Sequence, residues 1–334
     1  MKKIFICCTY YHLLISIIKS LKSNGKCDVL LSTGWNDFTL IQDKVLIEKL
    51  KKSNIFSDVI LDENLIDKRQ NVVNSKFKEL KKYFLLKKIK KNFSVDLSNY
   101  DEVYIFSYNN PIGRIINKNK IYHNLLEDGT DCYKNNRIII KSKISLKSFI
   151  KKHLLKLEDL GESKYTKSIE VNDLNGVVLK NKKIIEASKK KMFESLTNKE
   201  KKLIVSLFMK NDNWKKLNNT TLIITQPFYM DNILKTEDEQ IKIYKDIVNK
   251  YCNSENIIIK PHPRDYINYE SIISKSNIIN DIFPIEILNF TNVKFNKVIT
   301  ISSTAINLIY NCNEKIFLGW KWLQEKVREY ERRK

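Results

Sequence analysis

The stretch MKKIFICCTYYHLLISIIKS, residues 1–20, decides the fold. Two lysines ahead of an apolar run have the layout of an export signal. Yet Tyr10, Tyr11 and His12 interrupt the run, and no small-residue cleavage site follows. The segment is also too short and too polar to span a bilayer. A buried strand from Lys3 to Cys8, a loop, and a helix beginning near Tyr11 account for it better. A strand that runs directly into a helix opens an α/β fold.

The same rhythm continues along the chain. Further strands are expected at DVLLS (Asp28 to Ser32), DVIL (Asp58 to Leu61), EVYIFS (Glu102 to Ser107) and IYHNLL (Ile121 to Leu126). In the second half they are expected at TLIITQ (Thr221 to Gln226), NIIIKP (Asn256 to Pro261), KVITIS (Lys297 to Ser302) and KIFL (Lys315 to Leu318). Helical patterns fall at Glu237 to Tyr251, Ile285 to Phe290, Thr304 to Asn311 and Trp320 to Arg332. Short apolar runs alternating with longer amphipathic ones predict parallel sheets with helices on both faces. Residues Ser145 to Leu217 lack strand rhythm and read as extra helices and a connector. The expected division is therefore an N-terminal domain over 1–150, a helical connector over 151–217, a C-terminal domain over 218–318 and a closing helix over 319–334. A length of 334 residues suits two domains of ordinary size.

Composition narrows the function classes. An apolar fraction of 43% supports a globular chain. The six cysteines form no CxxC pair and no zinc-spaced cluster with histidine, and they read as reduced thiols of a cytoplasmic protein. With seven glycines and neither GxGxxG nor GxxxxGK[ST], phosphate-binding loops and dinucleotide fingerprints are excluded. The net charge of +22 comes almost wholly from lysine, without the arginine clusters or aromatic modules of nucleic-acid binders. An anionic substrate or an anionic membrane surface fits it, and so does drift in an AT-rich genome. Two basic amphipathic stretches, Lys76 to Lys91 and Ser145 to Leu157, read either as core-packed helices or as helices on anionic lipid.

Four stretches can carry chemistry. In LLEDGTDCY (125–133), Glu127 and Asp128 stand where a strand ends. They read as a solvated turn or as a general base at a strand's carboxyl end. In KPHPRD (260–265), Pro261 and Pro263 stiffen the backbone that holds His262, with Lys260 and Arg264 beside it. In ISSTAINLIY (301–310), Ser302, Ser303 and Thr304 follow a strand and precede a helix, as an N-cap or an anion site. In FPIEIL (283–288), Glu286 opens a short helix, placed for the dipole or for a ribose diol. His12 stands after the first strand and can line a cleft, whereas His123 and His153 read as structural. The acids of 127–131 and 211–213 make no convincing metal site.

An acid pair before glycine, then HP, then SS, in that order, resembles bacterial sialyltransferases. The N-terminal strand with its Thr-containing loop and the TLIITQPF stretch resemble glycosyltransferase family 52, whose members include capsule and lipooligosaccharide sialyltransferases. The resemblance runs from Lys3 to about Leu318. It implies a GT-B fold, with two Rossmann-like domains, the first for the acceptor and the second for CMP-sialic acid. It implies inverting transfer of sialic acid to a terminal galactoside, with an α-2,3 bond the commonest outcome. Carried onto this chain, Asp128 is the base, Glu127 its neighbour, and His262 assists departure of the CMP phosphate. Ser302, Ser303 and Thr304 lie at that phosphate, Glu286 at the ribose, and Lys260 and Pro261 beside the cytosine. No cofactor and no metal are implied. The implied partners are CMP-sialic acid and a galactose-terminated, lipid-linked glycan at the inner membrane face. Nucleic acid is not among them, and a homodimer is compatible with the family. Two rival readings remain: a UDP-sugar transferase or nucleotide-sugar epimerase of similar fold, and, suggested by charge alone, a basic nucleic-acid-binding protein.

Overall fold

The computed structural model describes residues 1–33, 39–62, 95–107, 111–128, 163–177, 183–209, 217–252 and 256–332. The basic stretches at 76–91 and 145–157, Gly129, His153 and the acids at 211–213 lie outside them. The chain divides into two compact units, Met1–Thr197 and Asn198–Lys334.

The opening stretch folds as a strand and a helix. β1 (Lys2–Cys7) is buried over Ile4, Phe5, Ile6 and Cys7, because it is central in a sheet covered on both faces. Thr9 then caps α1 (Tyr10–Leu21), its hydroxyl accepting the His12 N–H at 3.2 Å. Such a cap contributes about 1 kcal/mol. Leu13, Leu14, Ile15, Ile17 and Ile18 of α1 are all buried. Helix and sheet are further pinned by the Lys19–Glu170 ion pair at 2.6 Å.

Among the described residues of the first unit, seven strands form one sheet in the order β3-β2-β1-β4-β5-β6-β7. The remaining strands are β2 (Lys26–Leu31), β3 (Asp58–Leu61), β4 (Glu102–Ile105), β5 (His123–Leu126), β6 (Thr166–Val171) and β7 (Lys183–Glu186). All neighbours are parallel. β1 is followed in the sheet by β2 on one side, and β4 by β5 on the other. The loops leaving β1 and β4 therefore part, which opens a crevice at the carboxyl edge.

β6 and β7 correct the expectation of helices and a connector across Ser145 to Leu217. In β6 the residues Thr166, Ser168 and Glu170 interleave with buried Ile169 and Val171, so polar character hid the strand. β7 is an edge strand whose residues are mostly exposed, and it needs little apolar sequence. Helices do follow in this stretch, at Lys189–Glu194 and Asn198–Phe208.

The second unit holds four parallel strands in the order β11-β10-β8-β9, again among the described residues. They are β8 (Thr221–Ile224), β9 (Ile257–Lys260), β10 (Phe295–Thr300) and β11 (Cys312–Phe317). Here the parting loops follow β8 and β10. Ile243, Tyr244 and Ile247 of the helix Glu237–Tyr251 pack on Ile223, Ile259 and Ile299 to form the core. Both units are thus Rossmann-like α/β layers. Among the described residues no helix is long and apolar enough to cross a membrane, and the five cysteines there are free thiols.

Candidate active site

In the first unit, Asp128 stands just past β5 and its side chain is 42% exposed. Its Oδ2 lies 3.2 Å from Nε2 of His12, at the start of α1. Burial of the carboxyl pushes its pKa up, but the His12 imidazole beside it outweighs burial and holds it below the usual value. Glu127 and Asp128 are adjacent in sequence, but their carboxylates go to different partners. Glu127 is buried and accepts the backbone N–H of Asn172 at the end of β6. Asn172 in turn accepts the Lys189 N–H at 2.7 Å. Glu127 therefore fastens β5 to the β6 turn, and Asp128 alone of the two turns to His12.

His123, in β5, is fully buried between Ile121 O (2.9 Å) and Thr166 Oγ1 (3.3 Å), in keeping with a structural role.

In the second unit, His262 follows β9 and is held from several sides. Its N–H donates to Thr225 Oγ1 at 3.2 Å, and its carbonyl accepts the Asp265 N–H at 2.8 Å. Its Nδ1 accepts the Arg264 N–H at 3.1 Å. An Nδ1 that accepts leaves the proton of the neutral ring on Nε2. Arg264 is itself clamped by Asp231 through two bonds of 2.6 and 3.3 Å.

Beneath this loop lies a buried polar network. Thr225 donates to Asp265, Tyr269 donates to Asp265 at 2.7 Å, and Gln240 Nε2 reaches Asp265, Tyr269 and the Gln226 carbonyl. Gln240 Oε1 accepts the Tyr229 N–H at 2.8 Å. Burial raises the Asp265 carboxyl, and its hydrogen bonds from Thr225, Tyr269, the Ile267 N–H and Gln240 offset that only in part. Gln240→Leu keeps the volume but leaves Asp265, Tyr269 and the Tyr229 N–H short of partners. A loss on the order of 3 kcal/mol is expected. Thermal unfolding of the variant checks it, and an unchanged Tm would show that the network does not brace this loop.

Facing His262 across the end of β8, the chain leaves β10 through Ser302 and Ser303, both half-buried, and exposed Thr304. The helix expected over Thr304 to Asn311 is a 3-10 turn over Thr304–Leu308, and no side chain caps it. It stops because Asn289 takes over its end: Nδ2 donates to Leu308 O at 2.6 Å and Oδ1 accepts the Tyr310 N–H at 2.8 Å. So short a turn has almost no dipole, and the Ser303 N–H is already given to Thr300 Oγ1 at 3.2 Å, so any anion binding here rests on the hydroxyls.

Asn289 also ties in the 3-10 turn Ile285–Phe290, donating to the Glu286 carbonyl at 2.9 Å. Glu286 is 5% exposed, and burial pushes its carboxyl up to about 7. Lys260, at the end of β9, is buried with its Nζ 5.0 Å from the Phe283 ring centre and 3.1 Å from Pro261 O. Burial pushes it down to about 8, partly opposed by the charge of Asp281. The second unit thus places the sequence-predicted Lys260, Pro261 and His262 at the carboxyl end of β9 and Ser302, Ser303 and Thr304 at that of β10, while Glu286 sits in a turn joined through Asn289 to the end of the Thr304–Leu308 turn. Neighbouring strands lie ~4.8 Å apart, so the ends of β9 and β10, with β8 between them, are about 10 Å apart. Sequence reasoning did not find Thr225, Gln240 and Asp265. The D of KPHPRD was the available signal, since an acid two residues beyond a proline-stiffened histidine has a backbone to brace.

The sequence model of glycosyltransferase family 52 matches residues 38–318. An uncharacterized protein of Haemophilus influenzae is 32% identical over 185 residues, covering 54% of this chain and 57% of that protein. The match thus spans little more than half of its relative's length. Among solved structures, the UDP-GlcNAc 2-epimerase of Methanocaldococcus jannaschii in complex with UDP-GlcNAc and UDP has a TM-score of 0.50 at 14% identity. That likeness covers 98% of this chain and 92% of the epimerase. The Neisseria meningitidis UDP-GlcNAc 2-epimerase bound to UDP-GlcNAc has a TM-score of 0.45 at 10% identity, over 92% of this chain and 79% of that one. At 14% identity the first likeness speaks for the fold alone, and it agrees with the expected GT-B class of two Rossmann-like units.

Proposed function

We propose, from the premise that the chain belongs to glycosyltransferase family 52, that it is an inverting sialyltransferase. It moves sialic acid from CMP-sialic acid to the hydroxyl of a terminal galactoside. The observation that carries the donor half is the His262 loop. Its imidazole is fixed in one tautomer by the Arg264 N–H, so Nε2 keeps a proton to donate.

CMP leaves as a single phosphate that gains negative charge when the glycosidic bond breaks. A fixed N–H donor on one side and Ser302 and Ser303 on the other stabilise that charge without having to reorganise during the reaction. Lys260, one strand end away, adds positive potential. The base role falls to Asp128. Its carboxyl is held ionised well below neutral pH by His12, so it stands ready to take the proton of the attacking hydroxyl. In this reading Glu127 acts through structure, by holding the turn that carries Asp128.

Glu286 fits the ribose. Two neighbouring hydroxyls donating to its carboxylate favour the ionised form, so they lower a pKa that burial has raised to about 7. The sign follows. Below about pH 7 the free site carries a proton that CMP must expel, and affinity rises as pH rises toward that value. Calorimetry at pH 6 in two buffers of different ionisation enthalpy checks this. Wild type should release more protons per CMP bound than Glu286→Gln. Equal release by both would remove Glu286 from the ribose.

Incubation with CMP-sialic acid, and separately with UDP-sugars, tests the function itself. Release of CMP that quickens with a galactoside is the expected result. Cleavage or epimerisation of a UDP-sugar, with CMP-sialic acid left intact, would favour the UDP-sugar rival.

A further inference from the structure

His12 has more holding it than a core histidine requires. It is 2% exposed and stands third in α1, whose Thr9 cap receives its own N–H. Its ring stacks on Phe106, just past β4, with centres 4.1 Å apart and planes within 7°. Its Nδ1 accepts the backbone N–H of Cys8 at 3.2 Å. The proton of the neutral ring therefore sits on Nε2.

That Nε2–H is buried and makes no aligned hydrogen bond. It faces Asp128 Oδ2 at 3.2 Å, close enough for attraction. The two groups also sit at the crevice between the ends of β1 and β4, where this strand order places ligands.

We infer that His12 is the positioning residue for Asp128 in glycosyl transfer, its Nε2–H fixing one carboxylate oxygen so that the other faces the acceptor hydroxyl. The inference rests on the base role given to Asp128 above. A carboxylate 42% exposed at the end of a strand has free rotation about two bonds. A rigid donor behind it removes that freedom, and misplacement of a reacting group by about 1 Å can cost on the order of 10²-fold in rate. Cys8 and Phe106 act one step further back by setting the tautomer and plane of the ring. The proton stays on Nε2 throughout; the acceptor's proton goes to Asp128.

Two substitutions separate the ring's atoms. His12→Asn keeps an oxygen where Nδ1 accepts the Cys8 N–H but has nothing at Nε2. His12→Gln reaches the Nε2 position with an amide N–H. His12→Asn should lower kcat on the order of 10²-fold, with acceptor KM, CMP affinity and Tm near wild type. His12→Gln should recover at least tenfold of that loss. Wild-type kcat in His12→Asn would overturn the inference, and so would two variants equally impaired in kcat, KM and Tm. Asp128→Ala, assayed alongside, keeps the two claims apart. If it transfers sialic acid normally, the base reading fails. If it is inactive while His12→Asn is normal, only the positioning role fails. The double variant should be no slower than Asp128→Ala alone, because one residue acts through the other.

Discussion

His262→Ala is expected to reduce sialic acid transfer by about 10²–10⁴-fold, the range for a lost donor at a developing anion or a lost general acid. The loss should fall mainly on kcat. The ground-state phosphate of CMP-sialic acid already spreads its charge, and the imidazole proton matters most once the glycosidic bond has lengthened. CMP affinity should drop less than turnover, because Ser302, Ser303 and Lys260 remain. The fold should survive. What braces the loop is Thr225 and Asp265, which meet the backbone of His262, with Gln240 behind them on Asp265, while the ring accepts the Arg264 N–H. Steady-state rates with CMP-sialic acid, together with Tm, check this. Transfer at the wild-type rate would take His262 out of the reaction.

Asp128→Ala should abolish transfer, a loss of about 10²–10⁴-fold, while CMP binds as in wild type. The reason lies in where the groups sit. Asp128 belongs to the first unit, and every residue assigned to the nucleotide belongs to the second. Its loss also leaves the Nε2–H of His12 facing space vacated by the carboxylate, so a small change in stability accompanies the kinetic one. Slow hydrolysis of CMP-sialic acid by water should persist in this variant, because water needs no positioned sugar hydroxyl. Parallel loss of CMP binding would mean that Asp128 supports the fold or the donor instead.

Much of this was written in the sequence, for identifiable reasons. Buried parallel strands are continuous apolar runs, so KIFICC, DVLLS and TLII announced themselves, and the edge strand β7, with little to bury, did not. The helix Glu237–Tyr251 was legible to its ends because Thr236 caps it and three acids follow. The 3-10 turn at Thr304–Leu308 was not, since what ends it is Asn289, fifteen residues earlier. The site divides in the same way. KPHPRD advertised His262 through its prolines. Gln240 lies on a helix twenty-five residues before Asp265, and its role exists only once both are packed. His12 was legible as a histidine after a strand, but its partner Asp128 lies more than one hundred residues away. Adjacent in sequence, Glu127 and Asp128 looked like one electrostatic unit. Past the end of β5 they go to different partners, which no local pattern encodes.

The central claim is that the second unit lodges a nucleoside monophosphate beside His262. Calorimetric titration with CMP and, separately, with UDP tests it most directly, in wild type and in a Ser302→Ala/Ser303→Ala variant. Wild type should bind CMP saturably and one-to-one, the variant about tenfold or more weakly, and UDP more weakly than CMP. CMP that fails to bind at millimolar concentration, or that binds both proteins alike while UDP binds more tightly, would contradict it.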